Sequence, residues 1–258
     1  MRKYFIAAIG MLCALLLCQK AAAQSAEVHL LASNGIKAVV EDLLPQAEHS
    51  IGHTITVEFS PTANLKQKIE AGGAFDVVIV TPEAIADLSK GGKTMEGAEI
   101  SIYGTPISRA GIGIAIRKGS PRPDISTPEA IKSALLNAKA VAYAPQGAST
   151  PAITRMLDSL GIAEALKSKT VLLQGSDLTI AAVLDGRADF VITLVSELLP
   201  IKGLEVVGPL PDKFQQYIKF SAAVSASTKN ADAVKALVDF LAGPSALPVI
   251  KARGMEAH

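Results

Sequence analysis

Residues 69–85, IEAGGAFDVVIVTPEAI, decide the fold. A helix end, the Gly72-Gly73 break, Asp76, the run Val77-Val78-Ile79-Val80 and the corner Thr81-Pro82-Glu83 follow one another without a gap. An unbroken β-branched run is what a parallel strand covered on both faces requires, and Thr-Pro-Glu supplies the cap and first turn of a new helix. Residues 183–198, VLDGRADFVITLVSEL, repeat the plan: a helix ends at Gly186, Asp189 precedes a strand over 190–194, and Ser196 reads as the cap of the next helix. LLASNG at 30–35 and VAYAPQG at 141–147 also echo each other, each running from an apolar strand into small polar residues that open a helix. The reading is an α/β protein of two similar doubly wound lobes.

In chain order, a strand over 27–32 turns at Ser33-Asn34-Gly35 into a helix through Val39, Val40, Leu43 and Leu44, which Pro45 ends or kinks. A strand over 54–59 leads through 60–64 into a helix over 65–71 and then into the deciding stretch. The order is β-α-β-α-β, with the loops at 33–35, 62–64 and 81–83 on one edge of the sheet. Extended segments begin at residue 100 and at residue 110. Beyond them come a helix over 129–136, a strand over 140–143, a helix opened by Ser149-Thr150-Pro151, a strand over 170–173 and a helix capped by Ser176-Asp177. Segments 109–117 and 217–225 read as hinge strands crossing between the lobes. Residues 24–108 with 226–258 then form lobe one, and 118–216 form lobe two. Helices over 231–241 and 246–251 pack on lobe one.

Residues 1–23 stand apart. Arg2-Lys3, an apolar run to Leu17 and Ala21-Ala22-Ala23 make a secretory signal peptide, and its apolar run of about 14 residues is short against the ~20 of a membrane-spanning helix. Leu17 before Cys18 is not the small residue that lipidation takes. Both cysteines, Cys13 and Cys18, lie in this leader, so the remaining ~235 residues hold no thiol, disulfide or thiolate metal site. Removing Arg2, Lys3 and Lys20 leaves 22 basic residues against 24 acidic ones. Without a basic run or many aromatics, the chain lacks the electrostatic footprint and stacking surfaces of nucleic-acid binding. No cofactor motif is present, and a monomer is expected.

Over nearly all of this remainder the chain resembles the periplasmic solute-binding proteins of ABC importers, especially the molybdate-binding-like group. The matching pieces are ASNGI at 32–36, KQKIEAGGAFDVVIVTPE at 66–83, ISRAGIGIAIRKGSP at 107–121, DGRADFVITLVSELLP at 185–200 and FLAGPSALPVIKARGM at 240–255, in that order. The resemblance implies the type II periplasmic binding protein fold, two lobes closing by a hinge over a small anion, and delivery to a membrane permease from the periplasm. Molybdate-binding members hold the oxyanion with hydroxyls, backbone N–H groups and a tyrosine. By motif position Ser33, Thr62 and Ser149 resemble the hydroxyl donors, Ala63 and Ala148 offer N–H groups, and Thr193 or Leu194 falls where the tyrosine strand arrives. Asn34 and Thr81 join them as ligand candidates at the same corners. The pattern departs from the group at Leu194, where the tyrosine belongs, and at Pro61-Thr62-Ala63, where a serine pair belongs. The acidic residue near the tyrosine falls at Glu197.

Helix starts near Gly35, Ala63 and Ala148 aim N–H groups into one cleft, a layout that suits an acceptor-only anion. A small carboxylate or neutral polar solute uses the same donors, and a sensor that reports to a membrane receptor is the other alternative. Each residue also has a plainer reading. Ser33, Thr62 and Ser149 are helix caps first. Asp76 and Asp189 fix loops at strand starts, Arg109 makes a surface or interlobe salt bridge, and His29 and His53 lack a carboxylate at metal-ligand spacing. Enzyme signatures are broken. Pro151 stands where a nucleophile elbow closes with glycine, Asp87 replaces the first glycine of a phosphate loop, and Ile116 replaces a dinucleotide-loop glycine.

Overall fold

The computed structural model describes residues 27–95 and 104–257. The leader read at 1–23 and the extended segment beginning at residue 100 fall wholly or partly outside them. Strands β1 (Val28–Ser33), β2 (Ile55–Ser60) and β3 (Val77–Val80) alternate with helices α1 (Lys37–Ile51), α2 (Thr62–Glu70) and α3 (Pro82–Lys90). The long strand β4 (Thr105–Arg117) leads into α4 (Pro128–Asn137), β5 (Val141–Tyr143), α5 (Thr150–Ser159), α6 (Ala163–Leu166) and β6 (Thr170–Leu172). Then come α7 (Ser176–Leu184), β7 (Phe190–Leu194), α8 (Val195–Leu198), β8 (Leu204–Pro209), β9 (Tyr217–Val224), α9 (Ala231–Ala242), α10 (Leu247–Ala252) and β10 (Met255–Ala257).

The strands form one continuous path, β2-β1-β3-β9-β4-β7-β5-β6, with β8 and β10 also paired to β4. Within each half the central strands are parallel, β1 to β2 and β3, and β5 to β6 and β7, whereas every pairing of β4 and β9 is antiparallel. The deciding strand behaves as its composition requires. Val77 and Ile79 enter the core beneath α1, while Val78 and Val80 enter a second core beneath α2 and α3. Burial on both faces leaves no polar position in the strand.

Two aspartates show that the halves are built alike. Asp76, just before β3, accepts the His29 N–H at 2.9 Å and the Thr228 hydroxyl at 2.5 Å. Asp189, just before β7, accepts the Lys139 N–H at 2.6 Å. Each carboxylate ties the start of its strand to the backbone entering the neighbouring parallel strand.

Strand β4 changes partners midway. It pairs with β9 from Thr105 to Gly111 and with β7 from Ile112 to Ala115. At the change the Ile112 N–H donates to Gln215 Oε1 at 2.8 Å, and Gln215 Nε2 donates to the Ile112 carbonyl at 3.0 Å. One side chain thus acts as an extra rung between the end of the β9 pairing at Gly111 and the start of the β8 pairing at Gly113. Strand β9 pairs only with β3 and the first half of β4, so the chain returns between the halves through residues 210–216. Gln215→Ala strands the N–H of fully buried Ile112, at a cost of about 1–3 kcal/mol that a lowered urea midpoint will register.

Several local expectations are corrected. Pro45 does not end its helix: α1 runs through it to Ile51 and stops at Gly52, whose φ of 69° suits glycine. An interior proline costs about 3 kcal/mol, but Val39, Val40 and Leu43 are buried, and each large side chain returns about 1.5–3 kcal/mol. Ser176 is the first residue of α7, and the cap position belongs to Gly175 at φ 88°. Ser196 lies inside α8, where Leu194 holds the cap position. Strand β10, three residues long, carries too little pattern to be read in sequence. Arg109 and Arg253 hold the C-terminal segment through Glu256 and Asp42, exposed pairs worth up to ~1 kcal/mol each.

Candidate functional site

The ends of β1 and β2 in one half face the ends of β5, β6 and β7 in the other across a closed cleft of about 40 Å³, on a scale where one water needs about 10–15 Å³. Of the eight sequence-derived candidates, Ser33, Asn34, Thr62, Ala148, Ser149 and Thr193 line it. Ala63 and Thr81 do not. They border an adjoining open groove with Tyr217 and Lys219. Strand β3 lies between β1 and β9, so its end delivers Thr81 beside β9, one strand away from the cleft.

The capping reading of the hydroxyls is corrected as well. Ser33 and Ser149 occupy cap positions but make no side-chain capping bond, and Pro61 holds the cap position before Thr62. The loop before α5 is fastened instead by Thr150, whose Oγ1 donates to the Ala144 carbonyl at 2.6 Å and accepts the Gly147 N–H at 2.9 Å. The Thr62 hydroxyl donates to Ser33 Oγ at 3.2 Å, which orients the pair. Ser33 is 3% and Ser149 5% exposed, so each hydroxyl sits in a largely dry wall.

Three helices begin at the cleft: α2 at Thr62, α5 behind Ala148 and Ser149, and α7 at Gly175-Ser176. The first turn of a helix has N–H groups without intrahelical partners and a positive dipole end. The third of these starts, together with Gln146, Gln174 and Glu197, was absent from the sequence-derived candidates. The signal for it was the loop after β6, which stands at the same sheet edge as the loops already singled out.

Among the described residues, those lining the cleft include no lysine, arginine or histidine, and Glu197 is their single ionisable group. Its carboxyl accepts the hydroxyl of Thr193. Burial pushes that carboxyl above the usual carboxylate range, opposed by the bonds from Thr193, Ser176 and the Leu194 N–H and aided by nearby Asp177. Arg109 is turned elsewhere, paired with Glu256 at 2.6 Å and stacked over Tyr217 at 4.5 Å. His29 Nδ1 lies 3.0 Å from the Thr56 hydroxyl. Among the described residues no cluster of three His, Cys, Asp or Glu is placed to hold a metal.

The two halves touch directly above the cleft. Ser196 Oγ donates to the Gly35 carbonyl at 2.7 Å in a buried bond. A Cβ at Gly35 would stand 2.4 Å from Phe220 Cζ and 2.7 Å from Leu194 Cδ1, so only glycine fits between the two. Leu194, where the resemblance puts a tyrosine, presents its side chain to Gly35 and closes this contact with methyl groups.

Two α/β halves, joined through one shared strand and facing each other across a closed cleft of hydroxyls and helix starts, make this a type II periplasmic binding protein fold. The family model for bacterial extracellular solute-binding proteins matches residues 28–256, and the chain belongs to that family. Among its relatives are an aconitate isomerase of Pseudomonas sp., 24% identical over 88% of this chain and 86% of its own, and the molybdate-binding protein ModA of Azotobacter vinelandii, 29% identical over 90% and 91%. The solved Azotobacter vinelandii periplasmic molybdate-binding protein superposes with a TM-score of 0.71 at 18% identity, over 88% of this chain and 98% of that one.

Proposed function

We propose that the chain is an exported solute-binding protein that works in the periplasm as a monomer. It captures a small anion, a molybdate-like oxyanion, and presents it to an ABC permease. The observation that carries this reading is a cleft of about 40 Å³ walled by hydroxyls that do no capping and by three helix starts. That space suits a ligand of a few heavy atoms. Each helix start contributes roughly 0.3–1 kcal/mol when exposed and up to ~2 when partly buried, and micromolar binding needs about 8. Hydroxyl and N–H bonds to the anion, at about 1.5–3 kcal/mol each, close the difference. The lobes open by bending at the β4 partner change and at residues 210–216. The leader read at 1–23 and the molybdate-binding relative support export and oxyanion transport.

The test is calorimetric titration of the refolded, ligand-free protein with molybdate, tungstate, sulfate and a panel of small carboxylates. Saturable micromolar binding of an oxyanion is expected, weakened about 10- to 100-fold in Ser33→Ala and in Ser149→Ala. Silence across the panel would sink the reading.

A second reading, acid–base chemistry on an unsaturated carboxylic acid, is favoured by one observation, the buried Glu197 carboxyl in the cleft, together with the relative named aconitate isomerase. The small volume and the lack of cationic lining residues weigh against a tricarboxylate. Proton NMR of the protein incubated with cis- and trans-aconitate decides it: interconversion would replace the transport reading with catalysis.

A further inference from the structure

We propose that an anion held in this cleft shares one proton with Glu197, so that ligand capture takes up a proton and weakens as pH rises. The proposal rests on the small-anion reading above and adds a specificity-determining residue to it.

The geometry puts the Glu197 carboxyl on the wall of the cleft that the proposed anion would fill. Glu197 lines the cleft beside Thr193, Ser176 and Asn34, and the hydroxyl of Thr193 is bonded to its carboxyl. On its other side it borders a second cavity with Lys37 and Glu41 from α1 and Asp177 from α7. Lys37 lies 4.0 Å from Glu41 and 5.7 Å from the centre of the Phe59 ring. Asp177 acts on the Glu197 carboxyl repulsively. Among the described residues no cation on the cleft wall compensates.

An ionised Glu197 and an anion in one small dry cleft repel each other more than a single helix start attracts. One proton between the two oxygens removes the repulsion and makes a charge-assisted O–H···O⁻ hydrogen bond, stronger than a neutral one. Whether that proton is formally on the glutamate or on the ligand, the complex contains it. The sign follows. The bound anion favours the protonated carboxyl further, so binding takes up protons wherever the free protein has Glu197 ionised. Affinity is greatest below the free-protein pKa of Glu197 and falls by up to tenfold per pH unit above it.

The experiment is calorimetry with micromolar molybdate between pH 6 and 8.5, in pairs of buffers with different ionisation heats, which counts protons directly. The expected result is proton uptake that rises toward one per molybdate as the pH passes the free-protein pKa of Glu197, with affinity falling alongside. Glu197→Gln keeps an N–H donor at the same place and is expected to bind with flat pH dependence and no proton uptake. Thr193→Val removes a donor that favours the ionised carboxylate, so the fall in affinity moves to higher pH. Saturable binding by the unaltered protein with no proton uptake and a flat pH profile overturns the proposal and leaves the anion reading standing. Proton uptake that persists in Glu197→Gln also overturns it. Absence of any molybdate binding removes the anion reading and the proposal together.

Discussion

On the proposed anion reading, Gly35→Ala is expected to weaken binding by about tenfold, the largest loss expected from adding a single methyl group. The new Cβ would lie 2.4 Å from the Phe220 ring and 2.7 Å from Leu194. Contacts below 3.0 Å cannot be relieved by rotating a flexible side-chain end here, because Phe220 is fully buried and Leu194 is 2% exposed. Overpacking of this kind costs about 1–3 kcal/mol, and tenfold in affinity is 1.4 kcal/mol. Gly35 has no positive φ, so its backbone would accept alanine and the whole penalty is steric. Gly35 follows β1, whereas Leu194 ends β7 in the other half, so part of the clash exists only when the cleft is closed. The Leu194 part of the clash therefore lowers affinity, while the Phe220 part, which lies within one half, lowers stability, a split that calorimetry and urea unfolding on the same sample will show. A stability loss with affinity unchanged would mean that the clash is present whether or not the cleft is closed.

Phe220→Ala lowers stability by about 3–5 kcal/mol, the range for emptying a buried aromatic site. The ring is 0% exposed in the main core, and it carries the wall against which Gly35 sits. For a chain of this size that loss moves the thermal midpoint by roughly 6–20 °C, measurable by scanning calorimetry. The two substitutions oppose each other in volume. In the Phe220→Ala background, Gly35→Ala finds space where the ring had been, so its cost falls and the double-mutant cycle shows a coupling of about 0.5–3 kcal/mol. A cost for Gly35→Ala that is independent of residue 220 would assign the clash to Leu194 alone.

Much of the fold was readable because its signals are local. The run at 77–80 forces burial on both faces, the prolines at 82, 128 and 151 fall in first helical turns, and the repeated Asp-strand-corner plan marks two like halves. Burial, N–H counting and proline geometry need no distant partner to act. Three of the misses depended on a distant partner. Pro45 is carried inside a helix because the face of α1 is buried against the C-terminal helices. Strand β10 exists because β4 has a free edge for it, and Thr81 misses the cleft because β9 is inserted beside β3.

By itself the sequence indicated the two α/β halves and the corners that face the cleft, and six of the eight residues it singled out line that cleft. These follow from strand and helix periods, which act over a few residues. Only the tertiary structure decided that the serines are released from capping, that Glu197 is the one ionisable group among the described residues of the cleft wall, and that Gly35 is a point where both halves meet. Ser196 reaches a carbonyl 161 residues away, and Gly35 is held to glycine by side chains from β7 and β9. Exclusion of water and contact at van der Waals distance belong to the assembled pair of lobes, and no stretch of either lobe carries them alone.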